Sequence, residues 1–184
     1  MANSDGVEMS SLLFKSQLLF AYECMSSICV RHTINWIMSI PEGDPEFYFA
    51  DCILEAILKT IDDAQNLIDD HYQRWFKMSG RTVDYNNFKQ LLALTTYLTC
   101  NSPYSHENLI EFLAFVCDFA VKAYLVGVTQ APYYAVVCIT YAFTAFKFDS
   151  YASDNFRNFC AYCKKGLLNL SLKSTASDIK TCIN

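Results

Sequence analysis

The chain has 184 residues, 53% of them hydrophobic and 15% aromatic, with 14 basic against 19 acidic side chains and a net charge of −5. That length and apolar content suit a single globular domain over 1–184 and exclude extended disorder outside the ends, taken as 1–9 and about 172–184. An acidic balance with no basic block excludes a phosphate-tracking surface, so nucleic acid is not an expected partner.

Helical periods dominate the chain. Ser10 and Ser11 are placed to cap a first helix in which Leu12, Leu13, Leu19, Phe20 and Met25 recur at helical intervals towards Ile28. Cys29–Ile40 reads as its continuation or as a second short helix, stopped by the turn sequence Pro-Glu-Gly-Asp-Pro at Pro41 to Pro45. A long amphipathic segment from about Phe47 to Met78 has Ile53, Leu54, Ile57, Leu58, Ile61, Leu67, Ile68, Trp75 and Phe76 as its apolar members, with Trp75 and Phe76 expected in the core or lining a groove. Asp62, Asp63, Asp69 and Asp70 lie outside, and that carboxylate-rich middle leaves room for a kink or a break. Gly80-Arg81 closes it as a helix C-terminus does.

Asp84 then offers an N-cap for a helix carrying Phe88, Leu91, Leu92, Leu94 and Leu98, apolar on most sides and therefore expected to be central. Asn101-Ser102-Pro103 ends it, and Ser105 is placed to cap the next helix, Leu109 to about Val126, which stops near Gly127. Pro132 suits the first turn of a helix over Tyr133–Phe146. Ser153 or Asp154 starts a last one through Phe156, Phe159, Cys160 and Leu167. The pattern predicts an all-α bundle of about seven helices, with the Phe88 and Leu109 helices buried among the others.

The chain is apolar, yet its longest apolar stretches do not suit a membrane. Leu109–Val128 contains Glu111, Asp118 and Lys122, and the charge-free run Ala131–Phe146 falls short of the ~20 residues a spanning helix needs. No transmembrane anchor is expected. Nine cysteines with no leading signal peptide read as reduced, buried thiols of a cytoplasmic protein.

Catalytic and metal chemistry find little support. Cys160-Ala161-Tyr162-Cys163 is the lone CxxC and has no second pair nearby to complete a zinc site. The aspartates at 62, 63, 69 and 70 form adjacent pairs that do not converge on a helix. His32, His71 and His106 lack a nucleophile in a recognisable frame, since Ser105-His106-Glu107 are neighbours in sequence and triads converge through the fold. No enzyme, cofactor or metal is expected.

The stretch Asp84-Tyr85-Asn86-Asn87-Phe88-Lys89-Gln90-Leu91-Leu92-Ala93-Leu94 resembles the first homology motif of the Bcl-2 family of cell-death regulators, and of its viral-type members in particular. Asn87 falls on the family Asn, Phe88 on its Trp, and Leu91 to Leu94 on the apolar continuation, while Lys89 and Gln90 replace the family Gly and Arg. Upstream, Leu58 followed by Asp63, with Leu54 and Ile61 at anchor spacing, resembles the third homology motif; Gln65 stands where a fourth anchor is usual. Tyr124 and the Gln-Ala-Pro-Tyr turn occupy the place of the second motif, without its Trp and Gly-Gly. Helix order follows the family from about Leu12 to Phe146.

The resemblance implies an inhibitor of apoptosis that takes the amphipathic death-motif helix of a pro-apoptotic relative into a surface groove. Leu54, Leu58, Ile61, Tyr72, Phe76, Arg81, Asp84, Tyr85, Asn87, Phe88, Lys89, Gln90 and Leu91 would line that groove. Gln90 can make only neutral hydrogen bonds to the ligand Asp, so Asn87 with Lys89 or Arg81 would take the place of the family Arg. The resemblance also implies a location in the cytoplasm and, through partners, at the mitochondrial surface. It leaves open a helical adaptor of innate immune signalling, working through a flat face or as a homodimer and not binding death-motif helices.

Overall fold

The computed structural model describes residues 4–39, 51–78, 80–148 and 154–181, with side chains described for 15–39, 51–77, 80–148 and 154–167. All regular structure among these residues is helical: α1 (Ser4–Arg31), α2 (Asp51–Gln73) followed directly by a π-helical turn (Arg74–Met78), α3 (Tyr85–Cys100), α4 (His106–Leu125), α5 (Ala131–Ala145) and α6 (Asp154–Thr181). The protein is an all-α bundle. No helix among the described residues is long and apolar enough to cross a membrane.

Helix ends show how the sequence cuts the chain. Asp84 caps α3 by accepting the Asn87 backbone N–H at 2.9 Å, and Ser105 caps α4 by accepting that of Asn108 at 3.0 Å. Pro132 lies in the first turn of α5, where its missing N–H costs nothing. Four C-termini close the same way, with a left-handed residue at Thr33, Gly80, Gly127 or Lys147. The residue after each donates its N–H back to a carbonyl five positions earlier: Ile34 to Cys29 (2.9 Å), Arg81 to Phe76 (2.9 Å), Val128 to Ala123 (2.9 Å) and Phe148 to Phe143 (3.0 Å). Ile34, Val128 and Phe148 are buried, so these three turns are pinned by an apolar plug as well as by hydrogen bonds, while the fourth ends on exposed Arg81. Gly127 has φ +102° with open space around an added Cβ. Gly127→Ala should therefore destabilise purely through the backbone, by about 1–2 kcal/mol, read from the midpoint of chemical denaturation.

Several boundaries differ from the expectation. Ser10 and Ser11 lie inside α1, which starts at Ser4; the good helix formers Glu8 and Met9 carry the helix upstream of them. Of the stretch Cys29–Ile40, residues 29–31 continue α1, the turn at Thr33 ends that helix, and residues 34–39 are irregular and form no second one; Ile40 lies outside the described residues. The Pro41–Pro45 turn, Phe47 and Ser153 lie outside the described residues, and Asp154 is already the first residue of α6. There is no break among the carboxylates of α2. Asp62 pairs with Arg31 (3.4 Å), Asp63 with Lys59 (3.2 Å), Asp70 with Arg74 (2.8 Å) and Asp69 with Lys122, so the helix runs on to the π-helical turn.

The largest correction concerns the centre. Helix α4 packs against α1, α2, α3 and α5, and buries side chains on every face, including Leu109, Phe112, Leu113, Val116 and Ala120. Its partner in the core is α5, which packs on α1, α3 and α4. Helix α3 is peripheral: it buries Phe88, Leu91, Leu92 and Thr96 and leaves Ala93, Leu94, Tyr97 and Leu98 outside. An apolar helix need not be a buried one, because apolar atoms contribute more than half of an ordinary protein surface.

Tertiary ties follow this arrangement. Phe20 of α1 packs on Phe143 of α5 (centroids 4.4 Å) and edge-on to Phe156 of α6 (6.0 Å). Buried Gln17 donates to the Phe148 carbonyl (3.1 Å) and accepts from the Thr144 hydroxyl (2.6 Å), so a polar side chain inside the α1–α5 contact is satisfied at both ends.

Candidate functional site

The described surface is opened by an apolar cleft of about 480 Å³ between the end of α2, the π-helical turn, the middle of α3 and α4. Leu91, Leu94 and Leu98, spaced three and four apart on α3, form one wall, with Thr95 and Thr99 beside them. Phe115 and Phe119 of α4, stacked at 5.9 Å and 9°, form the floor. The far wall is cationic and aromatic: His71, Arg74, Trp75 and Arg81. Leu94 and Leu98 stand exposed at the rim.

Local chain chemistry builds that far wall. A π turn carries more residues per turn than an α turn, and such turns recur at functional sites. Here it buries Phe76 and leaves Trp75 half-buried beside the cleft. The Trp75 indole N–H donates to the Asn87 carbonyl at 3.2 Å, which ties the turn to the start of α3. Gly80, left-handed at φ +67°, then folds the chain back so that the Arg81 guanidinium lies 3.9 Å from the centroid of the Trp75 ring. Arg74 is paired with Asp70 at 2.8 Å, whereas Arg81 makes no ion pair among the described residues.

Behind the cleft lies a partly buried charge network, in which Asp118 is buried and Lys122 and Asp69 keep contact with water. Lys122 of α4 is in contact with both Asp118, one turn earlier, and Asp69 of α2. Burial pushes the Asp118 carboxyl above the usual carboxylate range, and Lys122 opposes that rise. The hydrogen bond from Lys122 holds Asp69 below it. Asp118 Oδ2 is within ion-pair reach of Lys122 yet has no well-directed hydrogen bond among the described residues, and the buried Tyr72 hydroxyl has no hydrogen-bond partner among them. Burial first, and the charge of Asp118 second, push Tyr72 up to about 12.

The predicted groove residues are dispersed by this geometry. Arg81 and Leu91 line the cleft. Phe88 and Phe76 are core residues, and Tyr72 packs on Phe76 (4.7 Å) and Phe119 (5.5 Å) underneath the cleft. Leu54 and Leu58 are half-buried and Ile61 is buried against the core, and none of the three lines this cleft. Asp84 and Asn87 are occupied with each other: the Asn87 amide donates to the Asp84 carboxylate (2.9 Å) and to the Thr82 carbonyl (3.1 Å). The backbone N–H of Asn87, helped by the Thr82 hydroxyl, holds Asp84 below its ordinary range. Asn87 therefore closes a helix cap, and a ligand carboxylate would have to displace these bonds to use it. Lys89 lies 5.6 Å over the Tyr134 ring on the α5 side, Tyr85 meets the same ring edge-on at 6.4 Å, and Gln90 is exposed away from the cleft.

Trp75, expected in the core or lining a groove, lines the cleft; the residues missed were His71 and Arg74, together with Leu94, Leu98, Phe115 and Phe119. Their signal was faint: Leu94 and Leu98 repeat at i, i+4 outside the buried Phe88–Leu92–Thr96 stripe, a mark of a second apolar face. At the CxxC, the Cys52 thiol of α2 donates to the Cys160 carbonyl at 3.8 Å; among the described residues no group of three or more His, Cys, Asp or Glu could hold a metal ion.

Fold and cleft together define a helical bundle with an open, cation-rimmed apolar groove. No protein-family model, curated protein or solved structure matches the chain.

Proposed function

We propose that the protein binds an amphipathic helix of a partner protein in the cleft between the π-helical turn and α3. The observation that carries this reading is the pairing of a continuous apolar trough, Leu91 to Leu98 over Phe115 and Phe119, with Arg81, which stacks on Trp75 and makes no ion pair among the described residues. A visiting helix places apolar residues at i, i+3, i+4 and i+7 into such a trough, and an acidic residue on its flank meets Arg81. Together with the resemblance to the Bcl-2 family, this supports an inhibitor of apoptosis that sequesters the death-motif helix of pro-apoptotic relatives, in the cytoplasm and at the mitochondrial surface through those partners. The cleft uses the C-terminal end of α2, and the charge comes from Arg81.

Fluorescence polarisation with a panel of labelled death-motif peptides tests this. At least one peptide binds, Leu98→Glu weakens it by about thirtyfold and Arg81→Glu by about tenfold, since each 1.4 kcal/mol is a factor of ten. Absence of binding across the panel rejects the reading.

A second reading is favoured by one observation, the exposed Tyr97, Tyr133, Val137 and Tyr141 on the outer face of α3 and α5. It is a helical adaptor modulating innate signalling through a flat face or as a homodimer, without death-motif binding.

A further inference from the structure

We infer that the outer face of α3 and α5 joins two copies of this chain in a two-fold symmetric dimer. The inference rests on the face named in the second reading and not on the Arg81 cleft. Tyr133, Val137 and Tyr141 stand at i, i+4 and i+8 on α5. Val137 and Tyr141 share a shallow cleft of about 320 Å³ with Tyr97 of α3, and Tyr133 continues their exposed face one turn earlier on α5. Tyr133, Val137, Tyr141 and Tyr97 are 50%, 41%, 61% and 63% exposed, in that order.

Area and charge select the occupant. An aromatic side chain offers ~150–250 Å², so these exposures leave on the order of 400 Å² of largely apolar surface on each copy. A standard interface buries roughly 800 Å² per partner, a little over half of it apolar, so the patch supplies about the apolar share that one stable contact requires. In a two-fold contact the patch must complement itself, which a charged patch cannot do. No carboxylate, lysine or arginine lines this cleft, in a chain whose net charge is −5. Lys89, over the Tyr134 ring, is the cation nearest to it among the ring contacts. The Arg81 cleft has the opposite character, and two copies meeting there would set like charges against each other. Tyrosine also suits a face that must stay soluble before pairing, because its hydroxyl keeps a water-facing end.

The test is sedimentation velocity of the full chain from 1 to 100 µM, beside the double variant Tyr97→Glu, Tyr141→Glu. Both side chains are exposed, so the variant keeps its helical circular dichroism. The expected result is a wild-type dimer with Kd on the order of 1–10 µM and a variant that stays monomeric throughout, a weakening of at least thirtyfold. Wild-type chain that is monomeric at 100 µM overturns the inference and leaves the face to another protein. A dimer that persists in a folded double variant overturns it as well. Peptide affinity measured on the same variant separates the two proposals, since loss of the dimer leaves the Arg81 cleft intact.

Discussion

Replacing Lys122 by Met is expected to cost about 2–4 kcal/mol of stability at neutral pH, somewhat under the usual penalty for breaking a buried ion pair because the side chain keeps some contact with water. Methionine retains most of the apolar stem, so the change isolates the charge. Without it, Asp118 on α4 and Asp69 on α2 face each other across the contact that holds the floor of the cleft against its far wall. Asp118 is almost completely buried and would keep only the weaker help of His32.

The pH dependence gives the signature. In the intact protein Asp69 is depressed, so its stabilisation is present above the unfolded carboxylate pKa and is lost as pH falls through the folded one. Asp118 is raised, so its penalty is present at neutral pH and relieved as pH falls through its folded value. Removing Lys122 takes away the group that lowers both. The deficit of the variant should therefore be largest at neutral pH and shrink as pH falls towards the carboxylate range. Adding Asp118→Asn should recover part of it at neutral pH. Urea denaturation at several pH values measures this, and a deficit independent of pH would show that Lys122 acts through packing alone.

Phe88→Ala should cost about 3–4 kcal/mol, the usual range for deleting a fully buried aromatic ring from a core. For a chain of this size that corresponds to roughly 10 °C in melting temperature. Phe88 sits one residue after Asn87, whose carbonyl holds the Trp75 indole, so the cavity forms beside a tie between the π-helical turn and the start of α3. Peptide affinity should fall along with stability. Gln90→Ala, two positions on but exposed, should change neither by more than about 0.5 kcal/mol. A thermal melt of the two variants side by side checks the contrast, and equal effects would mean that the junction is not what seats α3.

Much of the fold was legible because its punctuation is local. Asp84, Ser105, Gly127 and Pro132 act through neighbouring backbone groups, and each works as its residue type suggests. Thr33 and Lys147 were silent because they adopt the left-handed turn without being glycine. The order of burial was misread for a related reason. Apolar residues all round α3 look like those of a core helix, but only one of its stripes meets a neighbour. The better sign was the absence of charge: α5 carries none, and α5 is the helix beside α4 at the centre. Of the thirteen expected groove residues only Arg81 and Leu91 line the cleft, since it gathers residues from 71 to 119 that no contiguous motif connects.

The core sulfurs give the bundle a built-in set of unfolding reporters. Cys24 and Cys117 touch across α1 and α4 with sulfurs 3.7 Å apart, while Cys29, Cys138 and Cys163 sit on α1, α5 and α6. Burial pushes Cys29 and Cys138 up to about 11 and Cys163 up to about 12, so at neutral pH they are protonated and slow to react. An alkylating reagent must wait for each helix to open. Its site-by-site rate would rank α1, α5 and α6 by how often they leave the bundle, with no introduced label.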